Sequence, residues 1–423
     1  MKVSITIIFV LFSFQCASAQ ITKLTLNQCQ KDAISNYPLL KGKDLMTEAS
    51  KLKMENLKTA FLPDFNLGAK ATYQSDIPEI DFSIPNLPSV NIPKAPKDQY
   101  SVNVDVSQLI YDGGRLKVQK QIEESNLAAD IQSVEVELYQ LKTRINTLYF
   151  TILTIQENIS LLEVKKQELS ERIKSVISAV ENGAMLKSNE FHLKAELLSL
   201  QQKIIELKSA KISAIEILSE LSGKEISIDS QFELPDVVLK NGNEYLRPEY
   251  LLFDLKNEQI EAGKLFMKKQ RMPVIGGFGQ FGYGNPGLNM LNNEFDTYFI
   301  VGAKLSWNMY DWKKNQRKQK TFDIQKDILE TKRKTFSLNI NTQLKSELAA
   351  IRKFEEMVKL DDEIIQYRSE ITKGASSQLN EGVITSADFI KFLNEEIQAR
   401  INMEYHKIQA IRAKINYNNI SGD

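Results

Sequence analysis

Few residues in this chain are equipped for chemistry, and their spacing argues against most enzymatic roles. The segment "GGFGQFGYG" contains a G-x-G-x-x-G at Gly277, Gly279 and Gly282. A dinucleotide site needs a helix to begin at such glycines, so that backbone N–H groups meet the phosphates. Here Asn285-Pro286-Gly287 follows and then another strand-like run, so the glycines read as relief of crowding in a curved strand. His192 and His406 are the only histidines, and neither has Cys or His clustered nearby, so no dedicated transition-metal site is expected. There is no G-x-S-x-G and no H-E-x-x-H. The expectation is a non-enzyme without metal or cofactor. Thr385-x-x-Asp388 has the spacing of a helix-start capping box.

The elements that would position such residues come in two copies. Tyr111-Asp112 and Tyr310-Asp311 lie 199 positions apart, as do Gly183 and Gly382, and Ser222-Gly223 and Ser421-Gly422. Pro38 and Pro63 match Pro248 and Pro273 at an offset of 210. A constant offset over such a distance marks a duplication. The change of offset places one insertion between Pro63 and Tyr111, in the Pro-rich "SDIPEIDFSIPNLPSVNIPKAPKD".

Each copy changes period along its length. In "SVNVDVSQL", Val102, Val104 and Val106 share one face, opposite Ser101, Asn103, Asp105 and Ser107. "FNLGAKATYQ" alternates in the same way, and Phe299, Val301, Ala303 and Leu305 do so in the second copy. Beyond "YDGG" the period becomes helical. From Ile131 to Leu162 apolar residues recur in steps of 3 and 4, and a return seam runs through Leu193, Leu197, Leu200, Ile204 and Leu207. Sustained steps of this kind specify coiled-coil packing. Residues 115–182 would make a helix of ~100 Å at 1.5 Å per residue.

Composition bounds the class. Charged residues make up 26% of the 423 and hydrophobic ones 42%, which is neither a disordered chain nor a helical membrane bundle. The 54 basic side chains match the 54 acidic ones, which gives no support to a nucleic-acid partner. Lys2, the apolar run Ile5 to Phe14 and Ala17-Ser18-Ala19 read as a secretory signal over residues 1–19. Cys16 follows Ser13-Phe14-Gln15, too bulky for a lipidation box, and its removal leaves Cys29 without a disulfide partner. No later segment is apolar enough for a spanning helix, so any membrane crossing falls to the strands. Four strands cannot close a barrel around water, so several chains must share one. Glycines at "YDGG" suit a crossover from barrel to helical tube, with Asp112, Gly113, Gly114 and Asp311 marking the two crossings. Val102, Val104, Val106, Phe299 and Val301 would then face lipid.

With these features the chain resembles the TolC-like outer-membrane channels of tripartite efflux pumps and type I secretion systems. The resemblance covers the opening "LTLNQCQKDAISNYP", Pro63 and Pro273, both crossovers and both glycine tips. It implies a mainly α protein with a membrane β-barrel: a homotrimer whose twelve-stranded barrel continues into a twelve-helix periplasmic tunnel in a Gram-negative outer membrane. It also implies two repeats, at 20–223 and 246–423, about an equatorial linker at 224–245. The first would hold a helix between Pro38 and Pro63, strands 65–74 and 99–110 around a loop at 75–98, helix 115–182, a tip at 183–188 and helix 189–222. The second would hold helix 248–272, strands 274–283 and 296–307 around a loop at 284–295, helix 312–381, a tip at 382–385 and helix 386–420. The implied partners are outer-membrane lipid, a periplasmic adaptor (membrane fusion) protein and an inner-membrane transporter of the RND or ABC type. Adaptor docking would use Gly183, Ala184, Met185, Leu186, Gly382, Val383, Ile384 and Thr385. A periplasmic gate would use Asp388, with Lys391 standing where the family carries a second acid. The implied role is a passive exit duct. The residue patterns alone also fit a non-conducting coiled-coil tether across the envelope.

Overall fold

The computed structural model describes residues 23–77, 94–240 and 246–422. The expected signal at 1–19 and most of the Pro-rich loop lie outside the described residues. The order of elements is β1 (Lys23–Leu24), α1 (Leu26–Asn36), α2 (Leu39–Thr59), β2 (Asp64–Tyr73), β3 (Asp98–Tyr111), α3 (Arg115–Glu181), α4 (Lys187–Ser222), β4 (Gln231–Phe232), α5 (Pro248–Lys269), β5 (Val274–Asn285), β6 (Asp296–Ser306), α6 (Lys314–Asn380) and α7 (Ser386–Ser421). The fold is mainly helical with few strands. Two compact units share it, and α3 and α6 each run from one into the other.

One unit holds residues 38–137 and 247–339. Its sheet has the order β2-β3-β5-β6, antiparallel throughout. The register sets Phe65 opposite Val106, Leu67 opposite Val104, Val104 opposite Phe281, and Phe281 opposite Phe299. With the two-residue period of a strand, this pairing places these apolar residues of all four strands on one side. Two directly paired positions on the other side match an aromatic residue with a glycine: Phe278 with Gly302, and Tyr298 with Gly282. A Cβ at Gly302 would stand 2.6 Å from the Phe278 ring, and one at Gly282 2.3 Å from the Tyr298 ring. Gly282 of β5 and Gly302 of β6 therefore each make room for an aromatic ring. The glycines of β5 open no helix, since Pro286 and a loop follow it.

Below the sheet α2 lies along the start of α3, tied by Lys43–Glu135 and by Lys53–Glu123 at 3.1 Å. In parallel, α5 lies along the start of α6 through Lys326–Glu261 and Arg333–Asp254, both at 2.7 Å. The Tyr250 and Ser337 hydroxyls add a 2.8 Å hydrogen bond, and Gln132 donates to the Pro248 carbonyl at 2.8 Å. Each short helix thus covers the first part of a long one.

Among the described residues, the other unit holds those up to Tyr37, those within 138–246 and those from 340 on. Its α3 segment buries Leu138, Leu141, Ile145 and Ile152 of the apolar seam. It also buries Tyr149, Phe150 and Leu153, which lie off that seam and face Leu26, Cys29, Phe232 and Ile415 in one cluster. The Tyr149 hydroxyl shares its one hydrogen between the carbonyls of Leu24 at 2.8 Å and Glu233 at 2.6 Å, which anchors the parallel pair β1–β4. Burial raises the tyrosine pKa well above its ordinary value. A second cluster toward the hairpin turns joins Leu169, Leu193, Leu379, Phe389 and Leu393.

Candidate functional site

Three places carry the residues singled out above: the strand-to-helix crossovers, the sheet face and the hairpin tips. At the first crossover Asp112 is buried, and its carboxylate accepts from the Gly114 N–H at 2.7 Å and from the Leu116 N–H. Gly113 and Gly114 have φ of 73° and 81°. A Cβ on Gly113 would lie 2.3 Å from the Met272 Cβ, so both the conformation and the space demand glycine. The Arg115 guanidinium donates to the Gln270 carbonyl at 2.9 Å and the Met272 carbonyl at 3.0 Å, and so caps the end of α5.

The second crossover repeats this backbone with different residues. The Asp311 carboxylate accepts from the Asn315 N–H at 2.8 Å, as Asp112 does from Leu116. Where the first copy has two glycines, Trp312 and Lys313 stand at φ 54° and 60°. Because both are left-handed, α6 starts at Lys314 rather than at the expected 312. Side chains in that region cost of order 1 kcal/mol or more each, so neither Trp312 nor Lys313 signals this turn by its residue type. The one available signal was their alignment, at the repeat offset, with Gly113 and Gly114.

On the sheet, Val102, Val104, Phe299 and Val301 are exposed and Val106 is half-buried, all on the apolar face with Phe65, Leu67 and Phe281. The opposite face is polar at its centre. There the Asp105 carboxylate accepts from the Gln280 amide at 2.7 Å and the Asn103 amide at 2.5 Å. No helix among the described residues is long and apolar enough to cross a membrane.

The tips are built alike. Gly183 at φ 74° lets the Ala184 N–H reach the Ala179 carbonyl at 2.8 Å, and Gly382 at φ 72° lets the Val383 N–H reach the Gln378 carbonyl at 2.9 Å. These closures end α3 and α6 and reverse the chain. Leu186 and Val383 are exposed, whereas Met185 and Ile384 pack on the cluster beneath. Asn189 Oδ1 accepts from the Ser386 N–H at 2.9 Å, linking the two hairpins. Arg172 adds bonds to Asn380 at 2.7 Å and to Ser376, with its guanidinium 5.0 Å above the Phe389 ring. His192 is exposed.

Asp388 sits in a complete capping box. Its Oδ2 accepts from the Thr385 hydroxyl at 2.6 Å and the Thr385 N–H at 3.1 Å, while Thr385 Oγ1 accepts from the Asp388 N–H at 3.2 Å. The Thr385 bonds lower the pKa of the exposed carboxylate, with a smaller contribution from Lys391. Among the described residues no group of three or more His, Cys, Asp or Glu side chains is placed to hold a metal ion.

Residues 31–224 match the model of the outer membrane efflux protein family. No curated protein matches the sequence. Solved outer-membrane channels share the fold. The outer-membrane channel OprN superposes with a TM-score of 0.71 at 14% identity, over 94% of this chain and 89% of its own. The Campylobacter jejuni CmeC outer membrane channel gives 0.69 at 15% identity, over 94% and 85%. The open state of the Neisseria gonorrhoeae MtrE outer membrane channel gives 0.67 at 14%, over 94% and 88%.

Proposed function

We infer, for a chain that carries outer membrane efflux protein sequence over residues 31–224 and the fold of outer-membrane channels, that it is an exit duct of the outer membrane. It would pass substrates from an inner-membrane transporter and a periplasmic adaptor to the outside, in a tripartite efflux pump or a type I secretion system. The observation that carries this reading is the sheet: four strands, one apolar face, and free edges at β2 and β6. Its β6 of 11 residues has the length a tilted strand needs to cross a hydrocarbon core. An open edge is not tolerated in lipid, and four strands enclose no lumen. Three chains would close a twelve-stranded barrel with Val102, Val104, Val106, Phe299 and Val301 toward lipid and Asp105 and Gln280 toward water.

Exposed apolar positions on α6 support the same assembly. Ile324 and Ile328 in the sheet-bearing unit are exposed, as are Leu360, Ile364, Tyr367 and Ile371 in the other. The last four recur in steps of 4, 3 and 4, a seam that a neighbouring chain would cover to complete a helical tunnel. In this reading Lys224–Asn243, of which 241–243 lie outside the described residues, and the N-terminal segment belong to an equatorial belt, the tips about Gly183 and Gly382 receive the adaptor, and Asp388 with Lys391 lines the periplasmic end. Mass measurement of the detergent-extracted protein tests the assembly. Trimers are expected, and a stable monomer that keeps its β signal would overturn the reading.

A further inference from the structure

Although the chain is neutral overall, its charge is concentrated at the second crossover. Residues 268–271 and 311–320 hold eight basic side chains and a single acid, Asp311. Three of these cations, Arg271, Lys314 and Lys318, line a pocket of about 180 Å³ together with Gln270, Asn308, Asp311 and Asn315. A water needs only ~10–15 Å³ of such space, so the pocket has room for several waters or for a phosphate group. Among the described residues, no carboxylate lies within 4.0 Å of the charged nitrogens of these three cations. The acid in the pocket is occupied, since Asp311 Oδ2 accepts from the Asn315 N–H at 2.8 Å.

The frame of the pocket is fixed. Asn315 is buried and donates through its amide to the Met267 carbonyl, while its Oδ1 accepts from Gln319 at 2.7 Å. The Trp307 indole N–H donates to the Arg271 carbonyl at 3.0 Å. Aromatic side chains flank the cations. Trp307, Tyr310 and Trp312 are all exposed, Trp312 at 76%, and the rings of Tyr310 and Trp312 meet edge-on at 5.0 Å. Trp307 follows the odd-numbered apolar residues of β6, Phe299, Val301 and Leu305. The first crossover has nothing equivalent: Gly113 and Gly114 stand in place of Trp312 and Lys313, Gln119 in place of Lys318, and Arg115 is spent on backbone carbonyls.

We propose that the pocket of Arg271, Lys314 and Lys318 binds the phosphate of an anionic phospholipid in the leaflet on the helix side of the barrel, with Trp307, Tyr310 and Trp312 seated at the headgroup level. The proposal rests on the reading that the sheet spans the membrane. Amphipathic aromatic rings concentrate at that depth, and basic pockets at the ends of membrane segments hold anionic headgroups. A cation close to an anionic surface contributes about fivefold in binding, so three predict a preference of roughly 100-fold.

Native mass spectrometry of the extracted protein, titrated with phosphatidylglycerol or phosphatidylcholine, tests this. Wild type should hold phosphatidylglycerol roughly 100-fold more tightly. Arg271→Gln/Lys314→Gln/Lys318→Gln should lose most of that preference, and Lys314→Arg/Lys318→Arg should keep it. Equal retention of both lipids by wild type would overturn the proposal, as would a preference that the triple Gln variant keeps. Competition by inorganic phosphate at equal concentration would identify a free-anion site and overturn the lipid assignment. Bilayer conductance of the same preparation separates the two levels: a conducting protein without lipid preference refutes the site alone, and a non-conducting one refutes the reading beneath it.

Discussion

Gly113 and Gly382 share nearly the same left-handed backbone, φ +73° and +72°, but not the same surroundings. A methyl group at Gly113 would stand 2.3 Å from the Met272 Cβ and 3.3 Å from the Pro273 carbonyl oxygen. One at Gly382 would meet nothing within 4 Å. Alanine in this conformation costs ~1–2 kcal/mol at either position. Overpacking adds ~1–3 kcal/mol where atoms must move, which applies only at Gly113. Gly113→Ala should therefore be the more damaging by about 1–3 kcal/mol, a factor of roughly 5 to 150 in unfolding rate if the strain is absent from the transition state. The assay is loss of helical circular dichroism in detergent at one fixed temperature, comparing the two single variants with wild type. A rate is the proper readout, because it holds whether or not unfolding is reversible. Equal acceleration by the two variants would show that contact with Met272 does not hold the first crossover, and would refute the argument from space.

The remaining predictions concern single titratable groups. Because the folded pKa of Asp388 lies below its ordinary value of 3.8, its bonds to Thr385 stabilise the start of α7 fully above that value and are lost as pH falls through the lowered one. Amide exchange at residues 386–389 should thus be flat from pH 7 to 5 once corrected for intrinsic rates, and protection should fall only below about pH 4. Asp388→Asn should abolish that dependence. If Asp388 also lines a pore, the same variant lowers cation selectivity, and Lys391→Asp raises it. Cys29 is buried, and burial with the nearby Asp32 charge pushes its thiol up to about 11, so a maleimide at pH 7.5 should leave it unmodified until the chain unfolds. Rapid labelling of folded protein would contradict the packing of α1 against α3.

Much of the architecture is legible because periodicity is a local signal. The alternation through Val102, Val104 and Val106 identifies a strand, and the steps from Ile131 to Leu162 identify a long helix. What escapes is set by pairing between distant segments or by a break in a local rule. Tyr149, Phe150 and Leu153 are buried against β1, β4 and α7, partners that no window around residue 150 contains. The two-residue strands Lys23–Leu24 and Gln231–Phe232 are too short to carry a period. Trp312 and Lys313 occupy backbone that favours glycine, so the second crossover hides behind side chains that ordinarily signal helix or strand. At the tips, the Thr385–Asp388 spacing foretells the cap that forms, while the bond from Asn189 to Ser386 joins hairpins 197 positions apart.

On the proposed reading three copies of this chain enclose a continuous aqueous path, and single-channel recording of the purified protein in planar bilayers reports that path itself. Discrete, stepwise conductance is expected from trimers, with Asp388→Asn still conducting. A coiled-coil tether with the same helices has no lumen through the membrane. Absence of conductance steps from both wild type and Asp388→Asn, in protein shown to be inserted and trimeric, would contradict the duct and leave the tether.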